Sequence, residues 1–352
     1  VKLEAFIRRY LLDAPPADGA AAPSGQNTAQ SVALEPSMFA RRLRAGLLAA
    51  ELGLTSKLLF DRLAAEDVAE VERRIEASDE LRDLYRSELP PVSRRHLVLA
   101  FGMYLDAQSV LEKTNLRLID PPEDVHAMSR GPMAMAGGLY EADMVADALA
   151  SASVQIESLR GALDFGCSSG RVVSVMGAAY PELEWHGCDP NTDAIDWASE
   201  NLPGIDFFAS SDHPPLPLED ASLGLVLAIS IWSHFEPHLG LAWFDEMHRL
   251  IRPGGCLVMT THGPTSVDFY ATRGFRLPEQ SRQILDALYR DGHWYAAEFG
   301  QQGDWGVVNP SWGTAFLSPE WLLAQLCPRW RVLEYAPGRN QENQDVYVLQ
   351  RV

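Results

Sequence analysis

Asp164, Gly166 and Gly170 fall in the run Arg160-Gly-Ala-Leu-Asp-Phe-Gly-Cys-Ser-Ser-Gly-Arg171, where a short apolar strand enters a glycine-bearing turn and a helix follows. Twenty-five residues after Asp164 a second strand, Trp185-His-Gly-Cys-Asp189, ends in another acid. A strand, a turn that admits close backbone approach and an acid at the tip of the next strand form a site for a nucleoside-bearing ligand. The glycines lack the Gly-x-Gly-x-x-Gly spacing that passes a pyrophosphate. A carboxylate inside the turn sequence repels phosphates and attracts an ammonium group, directly or through water. The chemistry favoured is therefore that of a nucleoside with a positive end and no phosphates.

Proton transfer near neutrality suits histidine. His234, in Ser230-Ile-Trp-Ser-His-Phe-Glu236, follows the expected fourth strand, and His262, in Thr260-Thr-His-Gly263, follows the fifth. Open α/β sheets bind ligands at these carboxyl ends. Each histidine is a candidate catalytic base or ligand contact, the alternative for each being a structural hydrogen bond. His238 reads as a helix-start residue. Cys167, Cys188, Cys256 and Cys327 show no Cys-x-x-Cys or Cys/His spacing, so no metal site is expected.

These residues need a scaffold. Short apolar runs at Ala162–Phe165, Glu184–Cys188, Ile205–Phe208, Leu223–Ile229 and Cys256–Thr260 alternate with helical stretches at Val172–Tyr180, Thr192–Asn201 and Gly240–Ile251. That interval predicts an α/β fold with a mostly parallel, doubly wound sheet. Arg252-Pro-Gly-Gly255 reads as the turn between the last helix and the fifth strand. A helix at Pro319–Leu326, then strands at Arg331–Tyr335 and Asp345–Gln350, predict an antiparallel terminal strand. Residues 1–135 read as a helical amino-terminal cap or oligomerisation region, with a flexible, Ala-, Pro- and Gly-rich stretch at 13–37. Within the cap, helices are expected at Met38–Leu52, Thr55–Leu63, Ala65–Ala77 and His96–Leu111. A further helix is expected at Glu141–Ser153, and residues 136–352 form the ligand-binding domain. Residues 263–317 read as an insertion holding ten aromatics in 55 residues, twice the chain-wide share of 9%. They either wall an organic pocket or pack the insertion onto the sheet. His293, Glu298 and Asp304 are its candidate polar groups.

The 352 residues are 47% apolar, enough for a sizeable core. The net charge of −19, from 48 acids and 29 bases, disfavours a phosphate backbone as partner. No segment has the layout of a signal peptide, and the longest apolar run, Leu223–Trp232, is too short to span a bilayer. With the unpaired cysteines, this reads as a cytoplasmic protein without membrane or nucleic-acid partners.

The turn, the second acid and the later motifs together resemble the class I S-adenosylmethionine-dependent methyltransferases. Asp164, Gly166 and Gly170 match their first motif, with Ser168 in place of the middle glycine, a replacement tolerable if its backbone angles are ordinary. Leu216-Pro-Leu-Glu-Asp220 before the fourth strand and Arg249-Leu-Ile-Arg-Pro-Gly-Gly255 before the fifth look like later family motifs. The resemblance spans about residues 135–352. It implies a Rossmann-like fold and S-adenosylmethionine as cofactor, with S-adenosylhomocysteine as product. It assigns the turn residues Asp164, Gly166, Cys167, Ser168 and Gly170 to the cofactor, together with Asp189, Pro190 and Ser230. Asp189 would take the ribose hydroxyls, Ser211 and Asp212 would face the adenine, and Tyr140 would lie against the cofactor. Later segments, such as Gln344-Asp-Val-Tyr-Val-Leu349, are similar to enzymes of sugar and natural-product pathways. The function implied is methyl transfer to a small organic acceptor, on oxygen, nitrogen or carbon, with the cap selecting the acceptor or joining a homodimer. The competing readings are a non-catalytic regulatory or scaffold protein that keeps the fold, and, more weakly, an NAD-dependent oxidoreductase.

Overall fold

The structure is a computed structural model that describes residues 132–272, 276–297 and 306–352 continuously, residues 119–128, and single positions between 58 and 116. Nearly all of the expected cap, including the 13–37 stretch, lies outside the described residues. So do Glu298 and Asp304. Of residues 1–135, Leu59 and Leu116 are fully buried in one core with residues of the sheet, and Arg62 donates a hydrogen bond to the Ala178 carbonyl at 2.6 Å.

The continuous part opens with α1 (Pro132–Ser151). There follow β1 (Ala162–Phe165), α2 (Arg171–Ala179), β2 (Trp185–Asp189), α3 (Thr192–Asn201), β3 (Ile205–Ala209), β4 (Leu223–Ala228), α4 (Pro237–Leu250) and β5 (Ile251–Thr261). The insertion contributes α5 (Pro264–Thr272), α6 (Pro278–Asp291) and an antiparallel pair, β6 (His293–Ala296) and β7 (Thr314–Leu317). The chain ends with α7 (Pro319–Leu326), β8 (Trp330–Asn340) and β9 (Gln344–Arg351).

The seven-stranded sheet has the order β3-β2-β1-β4-β5-β9-β8. Strands β1 to β5 are parallel, and β9 runs antiparallel to both of its neighbours. This is the Rossmann-like architecture expected. The strand order reverses between β1 and β4, the switch point at which such sheets open a ligand crevice. Side chains alternate between two buried layers, as a two-residue period requires. Leu225 and Leu227 of β4, Cys256 and Val258 of β5, and Val346 and Val348 of β9 face the layer of α1 and α2. Val226, Leu257, Met259 and Tyr347 face the layer of α4 and α7. With both faces covered, β4 is buried along its whole length and reads as one continuous apolar run.

Two boundaries differ from expectation. Helix α1 begins at Pro132, ahead of Glu141 and of the expected domain boundary, so Gly137 and Gly138 lie inside it. A Cβ on Gly138 would sit 2.6 Å from the Arg171 carbonyl oxygen. This glycine serves the close approach of α1 to the start of α2 and does not open a helix. The second difference is at Arg252-Pro-Gly-Gly255, which lies within β5, where the register against β4 shifts between Leu223 and Leu225 and Gly254 has φ +81°. The irregularity takes place inside the strand, as a bulge does.

Candidate active site

A cavity of about 510 Å³ opens along the carboxyl ends of β1, β2, β4 and β5, within the range of small-molecule sites. Its first wall is the turn after β1. Gly166 (φ +79°), Ser168 (φ +50°) and Gly170 (φ +82°) all adopt the left-handed region. Glycine does so at no steric cost, but serine does not. The Ser168 backbone angles are thus not ordinary. A hydrogen bond from the Ser168 N–H to Asp189 Oδ2 at 2.8 Å holds the conformation. The Gly166 and Cys167 N–H groups donate to the Cys188 carbonyl at 2.8 and 3.0 Å, which ties the turn to the end of β2.

Two carboxylates stand at this wall. Asp164 is buried, and its Oδ2 has no hydrogen-bond partner. Burial pushes its pKa up to about 7, against the pull of Arg171 and the Val173 N–H, with Glu141 and Asp189 adding repulsion. Asp189 accepts the Ser168 N–H on Oδ2 and the Asn191 N–H on Oδ1 at 2.9 Å. Burial raises its pKa and these two donors lower it. Each oxygen still keeps a lone pair for a further donor. The Ser168 hydroxyl oxygen is buried without a partner. An unpartnered buried carboxylate oxygen calls for a cationic donor, and a half-satisfied carboxylate beside it accepts hydroxyls. The residues present fit a nucleoside with an ammonium end.

Asp164, Gly166, Cys167, Ser168, Gly170, Asp189, Pro190, Ser211, Asp212, Ser230, His234 and His262 all line the cavity. Burial keeps Cys167 a thiol, pushing its pKa well up. The Ser211 hydroxyl donates to the His213 carbonyl. Tyr140 is the exception to the expected set. It is buried away from the lining, donates to the Arg339 carbonyl at 3.2 Å and accepts the Gln341 N–H at 2.9 Å, bracing the β8–β9 turn. The physical reason is helical: α1 turns Glu141 to the cavity, and Tyr140 one residue earlier faces the hairpin.

The far side of the cavity is a polar network. Ser230 (φ +63°) donates its N–H to Thr260 Oγ1 at 2.8 Å, and the Thr260 hydroxyl donates to Gln344 Oε1 at 2.7 Å. The Gln344 amide nitrogen then donates to Ser230 Oγ at 2.7 Å and reaches His262 Nε2 at 3.3 Å. Burial lowers the pKa of His234 to about 4 and that of His262 to about 3. His238 sits in the first turn of α4, its N–H bound by the Glu236 carboxylate at 2.9 Å.

The insertion divides between both expected roles. Tyr270 and Trp312 line the cavity, whereas Phe316 is buried against Val267, Ile284 and Leu288. His293 packs its ring on Trp321 and does not line the cavity. Ile119, Asp120, Pro121 and Met128, from the expected cap region, also reach the lining. Arg171, Asn340 and Gln344 belong to the site but not to the sequence-based set. Arg171 closes the first motif and pairs with Glu141. Asn340 and Gln344 carry no local signal, because only the placement of β9 beside β5 brings them here. Among the described residues no group of three or more His, Cys, Asp or Glu side chains is placed to hold a metal ion, and no helix is long and apolar enough to cross a membrane.

Comparison with known proteins matches residues 162–255 to the methyltransferase domain family. The malonyl-[acyl-carrier protein] O-methyltransferase of Hahella chejuensis is 28% identical over 100 residues, covering 28% of this chain and 35% of that protein. A tRNA N(3)-cytidine methyltransferase of Gallus gallus is 26% identical over 113 residues, covering 29% and 30%. The match thus spans about a third of the length of these relatives. Among solved structures, a SAM-dependent methyltransferase from Methanosarcina mazei superposes with a TM-score of 0.41 at 16% identity, covering 56% of this chain and 94% of that one. The matched segment, from the start of β1 to the bulge of β5, carries the turn and both carboxylates described above. That segment is similar to the methyltransferase domain family.

Proposed function

We propose that this chain, whose residues 162–255 match the methyltransferase domain family, is a class I enzyme that moves a methyl group from S-adenosylmethionine to a small organic acceptor and releases S-adenosylhomocysteine. The observation that carries this reading is the pairing, in one cavity, of a buried Asp164 whose Oδ2 lacks a partner with an Asp189 whose two oxygens each keep room for a donor. Asp164 would hold the ammonium group, Asp189 the ribose hydroxyls, and Ser211 and Asp212 the adenine edge. When bound, S-adenosylmethionine supplies a methyl group already activated by its sulfonium. The protein is left to align the acceptor and keep water out. Trp243 and Phe235 supply buried apolar wall for the second task.

A small acceptor agrees with the net charge of −19, which disfavours nucleic acid. Cap residues such as Ile119 and Met128 at the lining support a cap that selects the acceptor. Calorimetric titration with S-adenosylmethionine, S-adenosylhomocysteine and NAD tests the reading. Binding of the first two and not of NAD is expected. Silence from the first two would sink it, and binding without turnover on any acceptor would favour the non-catalytic reading.

A further inference from the structure

The polar network on the far side of the cavity ends in an oxygen that it does not satisfy. The Ser230 N–H, which can only donate, reaches Thr260 Oγ1 at 2.8 Å. Thr260 must turn its own hydrogen elsewhere, and the Gln344 carboxamide lies 2.7 Å away. The atom facing it is therefore the acceptor, Gln344 Oε1. His262 gives the same answer independently. Its Nδ1 lies 3.1 Å from the Ala315 carbonyl oxygen, as His234 Nδ1 lies 2.9 Å from that of Gly313. A carbonyl only accepts, so Nδ1 carries the hydrogen of the neutral ring and Nε2 the lone pair. The Gln344 atom 3.3 Å from His262 Nε2 must then be the amide nitrogen, since an oxygen there would face the lone pair.

Gln344 Oε1 also meets the Asn340 carboxamide at 3.2 Å. Two oxygens repel, so Asn340 presents Nδ2 to it and turns Oδ1 away. That oxygen is buried without a hydrogen-bond partner, and Asn340, 3% exposed, lines the cavity. A second carboxamide oxygen, Asn343 Oδ1, is likewise buried without a partner on a residue of the lining. The two residues stand side by side, the Asn343 N–H donating to the Asn340 carbonyl at 3.0 Å. The hairpin tip that carries them is held from two sides. On α1, Tyr140 donates to the Arg339 carbonyl and accepts the Gln341 N–H, and Asp147 pairs with Arg339. On α5, the Ser266 hydroxyl donates to the Asn343 carbonyl at 2.7 Å.

A buried carbonyl oxygen left unpaired is costly, and what relieves it is a donor. The donor is not the ammonium group assigned to Asp164. Strand β9 lies three strands from β1, through β4 and β5, which is about 14 Å along the sheet at the usual strand spacing. One ammonium group cannot serve both places. The hairpin tip belongs to the acceptor's end of the cavity.

We propose that the tip of the β8–β9 hairpin recognises the acceptor, and that it takes a molecule with two neighbouring hydrogen-bond donors, hydroxyl or N–H, on Asn340 Oδ1 and Asn343 Oδ1. The proposal rests on the reading of this cavity as a methyl-transfer site. Ser230, Thr260 and Gln344 are positioning residues that fix the direction of the Asn340 oxygen. A molecule offering only lone pairs at those two points, such as the doubly O-methylated form of a diol, is turned away. The selection is by donors and does not depend on charge elsewhere in the acceptor.

The test uses the full chain saturated with S-adenosylhomocysteine and three probes of one shape: cis-1,2-cyclohexanediol, cis-2-aminocyclohexanol and cis-1,2-dimethoxycyclohexane. Binding is read from the side-chain carboxamide signals of Asn340 and Asn343 in 15N spectra, assigned by their loss in Asn340→Leu and Asn343→Leu. The diol or the amino alcohol should move both signals, the tighter of the two separating hydroxyl from N–H recognition. The diether should bind about tenfold more weakly or worse. Asn343→Leu should weaken the donor probe roughly 3–10-fold with the melting temperature and the S-adenosylhomocysteine affinity unchanged. A merely structural asparagine would not give that pattern, and because no bond within the fold uses Asn343 Oδ1, this variant carries the test even where Asn340→Leu does not fold. Equal binding of the diether, donor probes that leave both signals unmoved, an unchanged probe affinity in Asn343→Leu, or a loss of S-adenosylhomocysteine affinity in that variant would each overturn the proposal. Failure of the unsubstituted protein to bind S-adenosylhomocysteine would instead overturn the reading of the site.

Discussion

At the scale of single residues, Asp164 decides most. Burial pushes its pKa up to about 7, so it holds a proton below neutrality. An ammonium ligand needs the carboxylate, so binding below pH 7 must expel that proton. The affinity for S-adenosylhomocysteine is expected to rise about tenfold per pH unit up to about 7 and then level off. Asp164→Asn should flatten this slope in calorimetry and weaken binding. Stability of the ligand-free fold runs the other way. A folded pKa raised above the unfolded value stabilises at low pH, and that contribution is lost as pH climbs towards about 7. Ser168 supplies a second prediction. Its left-handed backbone tolerates glycine, so Ser168→Gly should keep the melting temperature and the cofactor affinity. Ser168→Val puts a branched side chain at that angle and should cost about 2 kcal/mol in denaturant unfolding. Both acids of the site were legible from the sequence, because strand, turn and acid are local. The Ser168 angle was not, since it depends on the Asp189 carboxylate across the turn.

At the scale of elements, the parallel strands were readable because apolar runs buried on both faces stand out. Helix α1 starts at Pro132, ahead of the expected Glu141; adjacent glycines are poor helix formers and hide its first turns. Gly138 is there for the Arg171 carbonyl, which no local pattern reveals. In an ordinary helix interior Gly→Ala gains about 0.5–1 kcal/mol. At Gly138 the new Cβ would meet backbone at 2.6 Å, and the expected result is a loss of about 1–3 kcal/mol. A thermal melt of Gly138→Ala reports the sign. Strand β7, with Gly313 just before it, is the other element whose role was hidden. The sequence marks them only as part of an aromatic-rich insertion, yet their backbone stitches the loops after β4 and β5 together and sets both imidazole tautomers.

At the scale of the whole molecule, the charge of −19 surrounds a cavity whose one described cation is the Arg171 already paired with Glu141. Basic proteins bind nucleic acid non-specifically at about 10⁻⁴–10⁻⁶ M. This chain should bind tRNA more weakly than that even at low salt, by fluorescence anisotropy, despite its partial likeness to a tRNA methyltransferase. Hairpin residues Asn340 and Gln344 join the site only through the assembled sheet, so no local pattern marks them as site residues. The central claim is that the turn after β1 holds the cofactor and directs its reactive end to the histidines. A crystal structure of the S-adenosylhomocysteine complex tests this most directly. The account predicts the ammonium group at Asp164, the ribose at Asp189, and the sulfur facing His234. Density for the ligand elsewhere, or with its adenine towards His234, would contradict it.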